Sequence, residues 1–205
     1  MNHSDHPRFH LGIFGGSGSG KTTYALKFIA RAQAACVFCF DPDGDFARGL
    51  NVPPCRTTYE LDAAMQGPGF VCFDPHTIFP GQMERALEYF AQLALAHGAR
   101  TRGRKFFVVD ELQWYLTSNG IGHWLRVLIQ SGRRKAGIDG VFIAPSPNEL
   151  HNGVRMQLTE VVCFQLTDDC ALEFPRKFGF DVDAVRLLKP YDFICRNNRG
   201  QEVRA

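Results

Sequence analysis

The sequence predicts an α/β fold in which a mainly parallel central sheet is flanked by helices. Three observations carry that expectation. An apolar run, Phe9 to Phe14, feeds a glycine-rich turn and then a helix-forming stretch; short apolar segments ending in Asp-Pro or Asp-Glu recur down the chain; and stretches with helical spacing separate them. Parallel strands joined by such crossovers present their carboxyl ends along one edge of the sheet, where ligands bind.

The turn after the first strand is Gly15-Gly16-Ser17-Gly18-Ser19-Gly20-Lys21-Thr22, a full G-x-x-x-x-G-K-[ST] phosphate loop. Its glycines let successive backbone N–H groups turn inward and cradle phosphate oxygens at the positive end of the helix that follows, Thr22 to Ala34. Lys21 is expected at the β- and γ-phosphates, the Thr22 hydroxyl on Mg²⁺, and Thr23 at the α-phosphate. The expected ligands are therefore ATP and Mg²⁺.

Cys36 to Phe40 reads as the second strand, ending in Asp41-Pro42-Asp43-Gly44-Asp45. That acidic turn is not a calcium loop, because its glycine sits at the fourth position and no glutamate closes it. After a crossover containing Pro53-Pro54 and a short helical stretch near Tyr59 to Met65, Gly69 to Phe73 forms a third strand that ends on the same Asp-Pro signal. Gln82 to His97 carries Met83, Leu87, Phe90, Leu93 and Leu95 without Gly or Pro, and predicts a helix. The basic segment Arg100 to Lys105 reads as a flexible solvated loop, with a nucleic-acid contact as the alternative.

The fourth strand, Phe106 to Val109, ends in Asp110-Glu111 and reads as a Walker B segment. Beside a phosphate loop, Asp110 can hold Mg²⁺ through its water shell, and Glu111 can orient and deprotonate an attacking water. A loop at Thr117 to Gly120 leads to a helix over Ile121 to Ala136, on which Trp124 is expected in the core. Arg133, Arg134 and Lys135 close that helix, where cations complement its dipole. Gly140 to Ala144, Val161 to Leu166 and Tyr191 to Arg196 read as further strands, with a Pro/Phe-rich connection at Phe174 to Phe180.

Composition limits the alternatives. The 205 residues suit one domain, expected over 9–205 after a flexible start at 1–8; 23 basic residues against 21 acidic leave a net charge of +2, so any nucleic-acid surface is local. The polar start, with His3, His6 and His10, has no signal-like apolar core and is expected to be frayed rather than metal-binding. Seven cysteines scattered through apolar segments are expected as buried, reduced thiols, which suits a cytoplasm. Cys36 and Cys39, the C-x-x-C pair, would face opposite sides of a strand.

The ordered set resembles the FtsK/HerA superfamily of DNA-pumping ATPases, whose small members include the genome-packaging ATPases of tailless, membrane-containing viruses. Its specific part is Arg134-Lys135-Ala136-Gly137-Ile138 before the fifth strand, then Val141 to Pro147, Arg155, and Val162-Cys163-Phe164-Gln165. Leu188-Lys189-Pro190-Tyr191-Asp192 resembles the entry to the family's last strand. The resemblance implies a RecA-like P-loop NTPase with extra C-terminal strands. It makes Arg134, with Arg133 as its rival, a finger for the neighbouring subunit, and Arg155 a second basic residue of the site. Pro145-Ser146-Pro147 departs from the glutamine that usually ends the fifth strand, leaving Ser146 as the substitute sensor. The implied activity is ATP hydrolysis coupled to translocation of double-stranded DNA by a homo-oligomeric ring, a hexamer. Capsid or portal-vertex proteins would be its docking partners, in host cytoplasm and in association with the virion. A small-molecule kinase, with Arg100 to Lys105 as its lid, and a phage-morphogenesis ATPase of the same superfamily are the competing readings.

Overall fold

The computed structural model describes residues 9–116 and 120–203. The expectations for His3, His6 and Thr117 to Asn119 lie outside those residues. Along the chain run β1 (His10–Phe14), α1 (Lys21–Arg31), β2 (Cys36–Phe40), α2 (Asp45–Leu50), α3 (Thr58–Ala64), β3 (Gly69–Phe73), α4 (Met83–Arg100) and β4 (Lys105–Val109). After a 3₁₀ turn at Leu112–Tyr115 come α5 (His123–Ala136), β5 (Ile138–Ala144), a second 3₁₀ turn at Pro147–Glu149, and α6 (Asn152–Arg155). The last elements are β6 (Glu160–Cys163), α7 (Asp169–Lys177), α8 (Val182–Arg186) and β7 (Ile194–Asn197).

The strands form one 7-stranded sheet in the order β3-β2-β4-β5-β1-β6-β7, parallel throughout except for the final antiparallel pair β6 and β7. The predicted α/β architecture with extra C-terminal strands is therefore the observed one. Alternate residues serve opposite faces: Phe38, Phe40, Phe107 and Val109 pack with Leu87, Phe90, Leu125 and Leu128 of α4 and α5, whereas Val37, Cys39, Phe106 and Val108 pack with Ala25 and Ile29 of α1. Burial on both faces explains why these strands read as continuous apolar runs. Cys36 and Cys39 fall on opposite faces, as their spacing requires. Glu88 of α4 accepts the Trp124 and Leu125 N–H groups at 2.8 and 2.9 Å, so a carboxylate from one helix caps the first turn of its neighbour. Trp124 packs half-buried against that layer.

Several expectations require correction. The Pro/Phe-rich connection expected at Phe174 to Phe180 is helical as far as Lys177: α7 runs through Pro175, starting from an Asp168 cap that accepts the Ala171 N–H at 2.8 Å. Turn residues 41–45 lead directly into α2, where Asp41, itself buried, accepts the N–H groups of Phe46 and Ala47 at 3.1 and 2.8 Å. Cys170 is exposed, while the other six cysteines are buried and none is disulfide-bonded. His10 is not frayed but buried on β1, where Nδ1 accepts the Gly140 N–H at 2.8 Å and Nε2 meets the Ile129 carbonyl at 2.8 Å.

The basic segment 100–105 is the largest correction. Arg100 ends α4, and Lys105 is buried at the start of β4, where its ammonium donates to the Gly103 and Ala136 carbonyls at 2.8 and 2.9 Å. Arg104 binds Asp139 at 2.9 Å and lies over the Phe9 and Phe106 rings. Burial holds the Asp139 carboxyl above the usual carboxylate range, with Arg104, the Phe9 N–H and Arg133 pulling it back. Arg104→Ala strands that carboxylate and is expected to destabilise the fold by about 2–3 kcal/mol. That lies under the roughly 3–5 kcal/mol of a fully buried pair, because Arg104 is partly solvated. A native-state pKa above the unfolded one means that the folded form takes up the proton first. The deficit in Arg104→Ala should therefore shrink as pH falls from 8 to 5, which urea titrations at the two pH values would measure. An equal deficit at both would show that Asp139 is not the group left stranded.

Candidate nucleotide-binding site

The phosphate loop leaves β1 at the edge where all the parallel strands end. Gly15 donates its N–H to the Pro145 carbonyl at 3.2 Å, tying the loop to the exit of β5. A Cβ at Gly15 would stand 2.5 Å from the Phe164 Cβ, so only glycine lets the loop pass that close to the end of β6. Gly20, the residue before α1, has φ +105 and offers no side-chain cap, and the first turn of α1 carries no acidic group. The N–H groups opening α1 are consequently available to an anion. Gly16, Ser17 and Gly18 form the exposed crest. Lys21 is 6% exposed and donates to the Gly16 carbonyl at 3.0 Å, so its ammonium lies across the loop it is expected to serve. The Ser19 hydroxyl is buried without a hydrogen-bond partner in the protein.

Asp110 and Glu111 stand at the end of β4, and the sheet order brings them to α1. Thr22 Oγ1 donates to Asp110 Oδ2 at 2.7 Å, and the other oxygen of Asp110 accepts the Glu111 N–H at 2.9 Å. Burial pushes the Asp110 carboxyl up, the Thr22 hydrogen bond lowers it, and the Glu111 charge raises it again. Glu111 occupies the left-handed region at φ +49, an uncommon conformation for a residue with a Cβ, and this turns the chain sharply from β4 into the 3₁₀ turn. Its carboxylate accepts from Gln113 Nε2. A cavity of about 210 Å³ opens beside these groups, lined by Thr22, Asp110, Glu111 and Tyr115 together with Asp41 and Asp43 from the end of β2.

No sequence pattern marks Tyr115 as part of this cleft; only its position just after Asp110-Glu111 signals it, since a single 3₁₀ turn has no periodicity to read. Gln113 orients the Glu111 carboxylate, while its own Oε1 is buried and unpartnered.

The remaining predicted residues divide into two groups. Ser146 sits at the exit of β5, next to the carbonyl that holds Gly15, and its hydroxyl accepts the Asn148 N–H at 3.3 Å as the cap of a 3₁₀ turn. Arg155 reaches back to the same turn, donating to the Pro147 carbonyl at 3.4 Å and Asn148 Oδ1 at 3.2 Å. Arg133 and Arg134 lie at the other end of β5. Its seven residues separate them from the phosphate loop of their own chain by roughly 20 Å. Arg133 leans on Asp139 at 3.9 Å, whereas Arg134 is exposed.

No protein-family model and no curated protein sequence matches the chain. Solved structures do. The genome packaging NTPase B204 from Sulfolobus turreted icosahedral virus 2, in complex with AMPPCP, superposes with a TM-score of 0.72 at 15% identity, covering 96% of this chain and 95% of that one. The DNA-packaging ATPase B204 of Sulfolobus Turreted Icosahedral Virus gives 0.72 at 17% identity, over 99% and 97%. This chain has the fold of the viral packaging ATPases. A type VII secretion ATPase, EccC of Thermomonospora curvata, is similar over 92% of this chain but 24% of its own cytoplasmic domain, with a TM-score of 0.55 at 14% identity. The fold expected from the sequence motifs is thus shared with these structures over nearly the whole chain.

Among the described residues no cluster of three or more His, Cys, Asp or Glu side chains could by itself hold a metal ion, and no helix is long and apolar enough to cross a membrane. A Mg²⁺ of the phosphate-loop kind needs no such cluster, because phosphate oxygens and water supply most of its ligands. The hydroxyl and carboxylate that it does need are already in contact at 2.7 Å. The donor set fits.

Proposed function

We propose that this chain is an ATPase whose hydrolysis of ATP drives duplex DNA through a ring of identical subunits, a hexamer, as a viral genome-packaging motor. The observation that carries the reading is the joining of Thr22 and Asp110 beside Lys21, with Glu111 opening onto the same cleft. The loop amides and Lys21 bind the polyphosphate, with Thr23 at its inner end. Thr22 and Asp110 hold Mg²⁺, which supplies charge neutralisation and orientation of the phosphates when bound. Glu111, steered by Gln113, accepts the proton of a water aligned with the γ-phosphate. Ser146, next to the carbonyl that holds Gly15, takes the sensor role, and Arg155, bonded to the 147–149 turn, is the second basic residue of the site. Arg134, exposed and remote from its own phosphate loop, serves the site of the next subunit.

Such a motor must accept any sequence, so its hold on DNA runs through phosphates. The exposed cations Arg100, Arg102 and Lys135 are available for that role, in a ring working in host cytoplasm and docking on capsid or portal-vertex proteins. The kinase reading loses its lid. Residues 100–105 lie at the amino-terminal ends of β4 and β5, across the sheet from the phosphate loop.

The test is ATP turnover with and without duplex DNA across a salt series. DNA is expected to raise turnover, with the stimulation fading as salt rises because each phosphate contact releases counterions. Lys21→Ala is expected to lose ATP binding and turnover together while remaining folded. Turnover indifferent to DNA would contradict the translocase reading and favour an assembly ATPase; phosphate transfer to a small acceptor would favour the kinase.

A further inference from the structure

A second cavity, of about 200 Å³, adjoins the phosphate loop on the side away from Glu111. Gly20 and Thr23 form its inner end, and Tyr24, Phe164, Tyr191 and Phe193 its walls. The aromatic rings support one another: Phe193 meets Tyr24 edge-on with centroids 4.8 Å apart and Phe164 at 5.6 Å. Tyr191 stands apart from this packing. It is 71% exposed and held in the left-handed region at φ +69, yet its ring lies against Gly20, where a Cβ would come within 3.0 Å of it. A bulky residue kept at a costly backbone angle, for a ring that buries little, needs a reason outside the fold.

We propose that Tyr191 and Phe193 form an aromatic platform that binds the nucleobase of the bound triphosphate by its face. The inference rests on the nucleotide reading of the phosphate loop. With the terminal phosphates over Lys21 and Thr22, the nucleoside leaves along the first turn of α1, which is where this cavity begins. A ring face recognises any base, because every base has a π-surface. The polar atoms needed to read a base edge are not built into the walls: the Tyr24 hydroxyl turns inward to the Cys195 thiol, and the one cation, Lys27, sits on a flexible exposed stem. The site therefore takes nucleoside triphosphates with little preference among bases, ATP and GTP included, unlike sites with buried donors and acceptors.

The experiment compares ATP, GTP and inorganic tripolyphosphate binding to the full chain and to Tyr191→Ala and Tyr191→Phe, with thermal unfolding confirming that each variant is folded. Tyr191→Ala is expected to weaken ATP and GTP by about tenfold to a hundredfold, the worth of one base stack, and to leave tripolyphosphate within about twofold. Tyr191→Phe, which keeps the ring, retains both, and the unaltered chain binds ATP and GTP within about tenfold of each other. Unchanged ATP affinity in Tyr191→Ala overturns the platform while leaving the phosphate site standing, and so does an equal loss for tripolyphosphate. A preference for one purine above about a hundredfold overturns recognition by face alone. An unaltered chain that binds neither nucleotide nor tripolyphosphate removes the phosphate-loop reading itself, and the platform with it.

Discussion

Glu111→Gln is expected to bind ATP with near-normal affinity and to hydrolyse it about 10²–10⁴-fold more slowly, the usual worth of a positioned general base. The substitution keeps the shape of the side chain and leaves both partners of the Thr22–Asp110 hydrogen bond in place. The backbone at φ +49 is imposed by the exit from β4 and is as open to glutamine as to glutamate. Single-turnover hydrolysis measured beside nucleotide binding separates the two effects. Near-normal turnover would move the role to another group of the cleft, with Gln113 and Asp110 the first to test. A parallel loss of ATP binding would mean that Glu111 acts on the nucleotide rather than on water.

A larger loss is expected from Arg134→Ala: a finger contributes about 10³–10⁵ in rate. The geometry makes this variant unusually informative. Arg134 sits at the opposite end of β5 from the phosphate loop of its own chain, so a rate effect of that size cannot arise within one subunit. It ends α5 on the solvent side, and its removal disturbs no buried partner. Arg133→Ala differs in kind, because Arg133 faces the buried Asp139, and its deletion should lower the unfolding midpoint more than the turnover of folded protein. If the two variants exchange these signatures, Arg133 is the finger.

The parts legible in the sequence were those written in local pattern. The phosphate loop, the Asp110-Glu111 strand end and the core strands all declare themselves through glycines, apolar runs and the turns that close them. Their carboxyl-edge convergence follows from parallel crossovers alone. Interactions between distant residues were not legible. Arg104 and Lys105 read as a solvated basic loop because nothing local reveals that Asp139 lies beside Arg104 on the neighbouring strand β5, or that the Ala136 carbonyl awaits Lys105. Helix α7 is not legible because a proline such as Pro175 normally ends a helix, whereas here the helix runs on past it to Lys177. His10 was assigned to the terminus on polarity, although both of its ring nitrogens meet main-chain groups inside the fold. Tyr191 was read as part of a strand entry, and its place over Gly20 emerges only when β7 returns beside β6.

The central claim, a site completed by a neighbour, is tested most directly by mixing Arg134→Ala protein with Glu111→Gln protein and measuring ATP turnover in the mixed rings. Each variant is inactive alone, but in a mixed ring an intact Glu111 on one subunit can meet an intact Arg134 on the next. Turnover is therefore predicted to return, rising to a maximum at intermediate ratios. No recovery at any ratio, in rings shown by mass to contain both variants, would contradict the shared site.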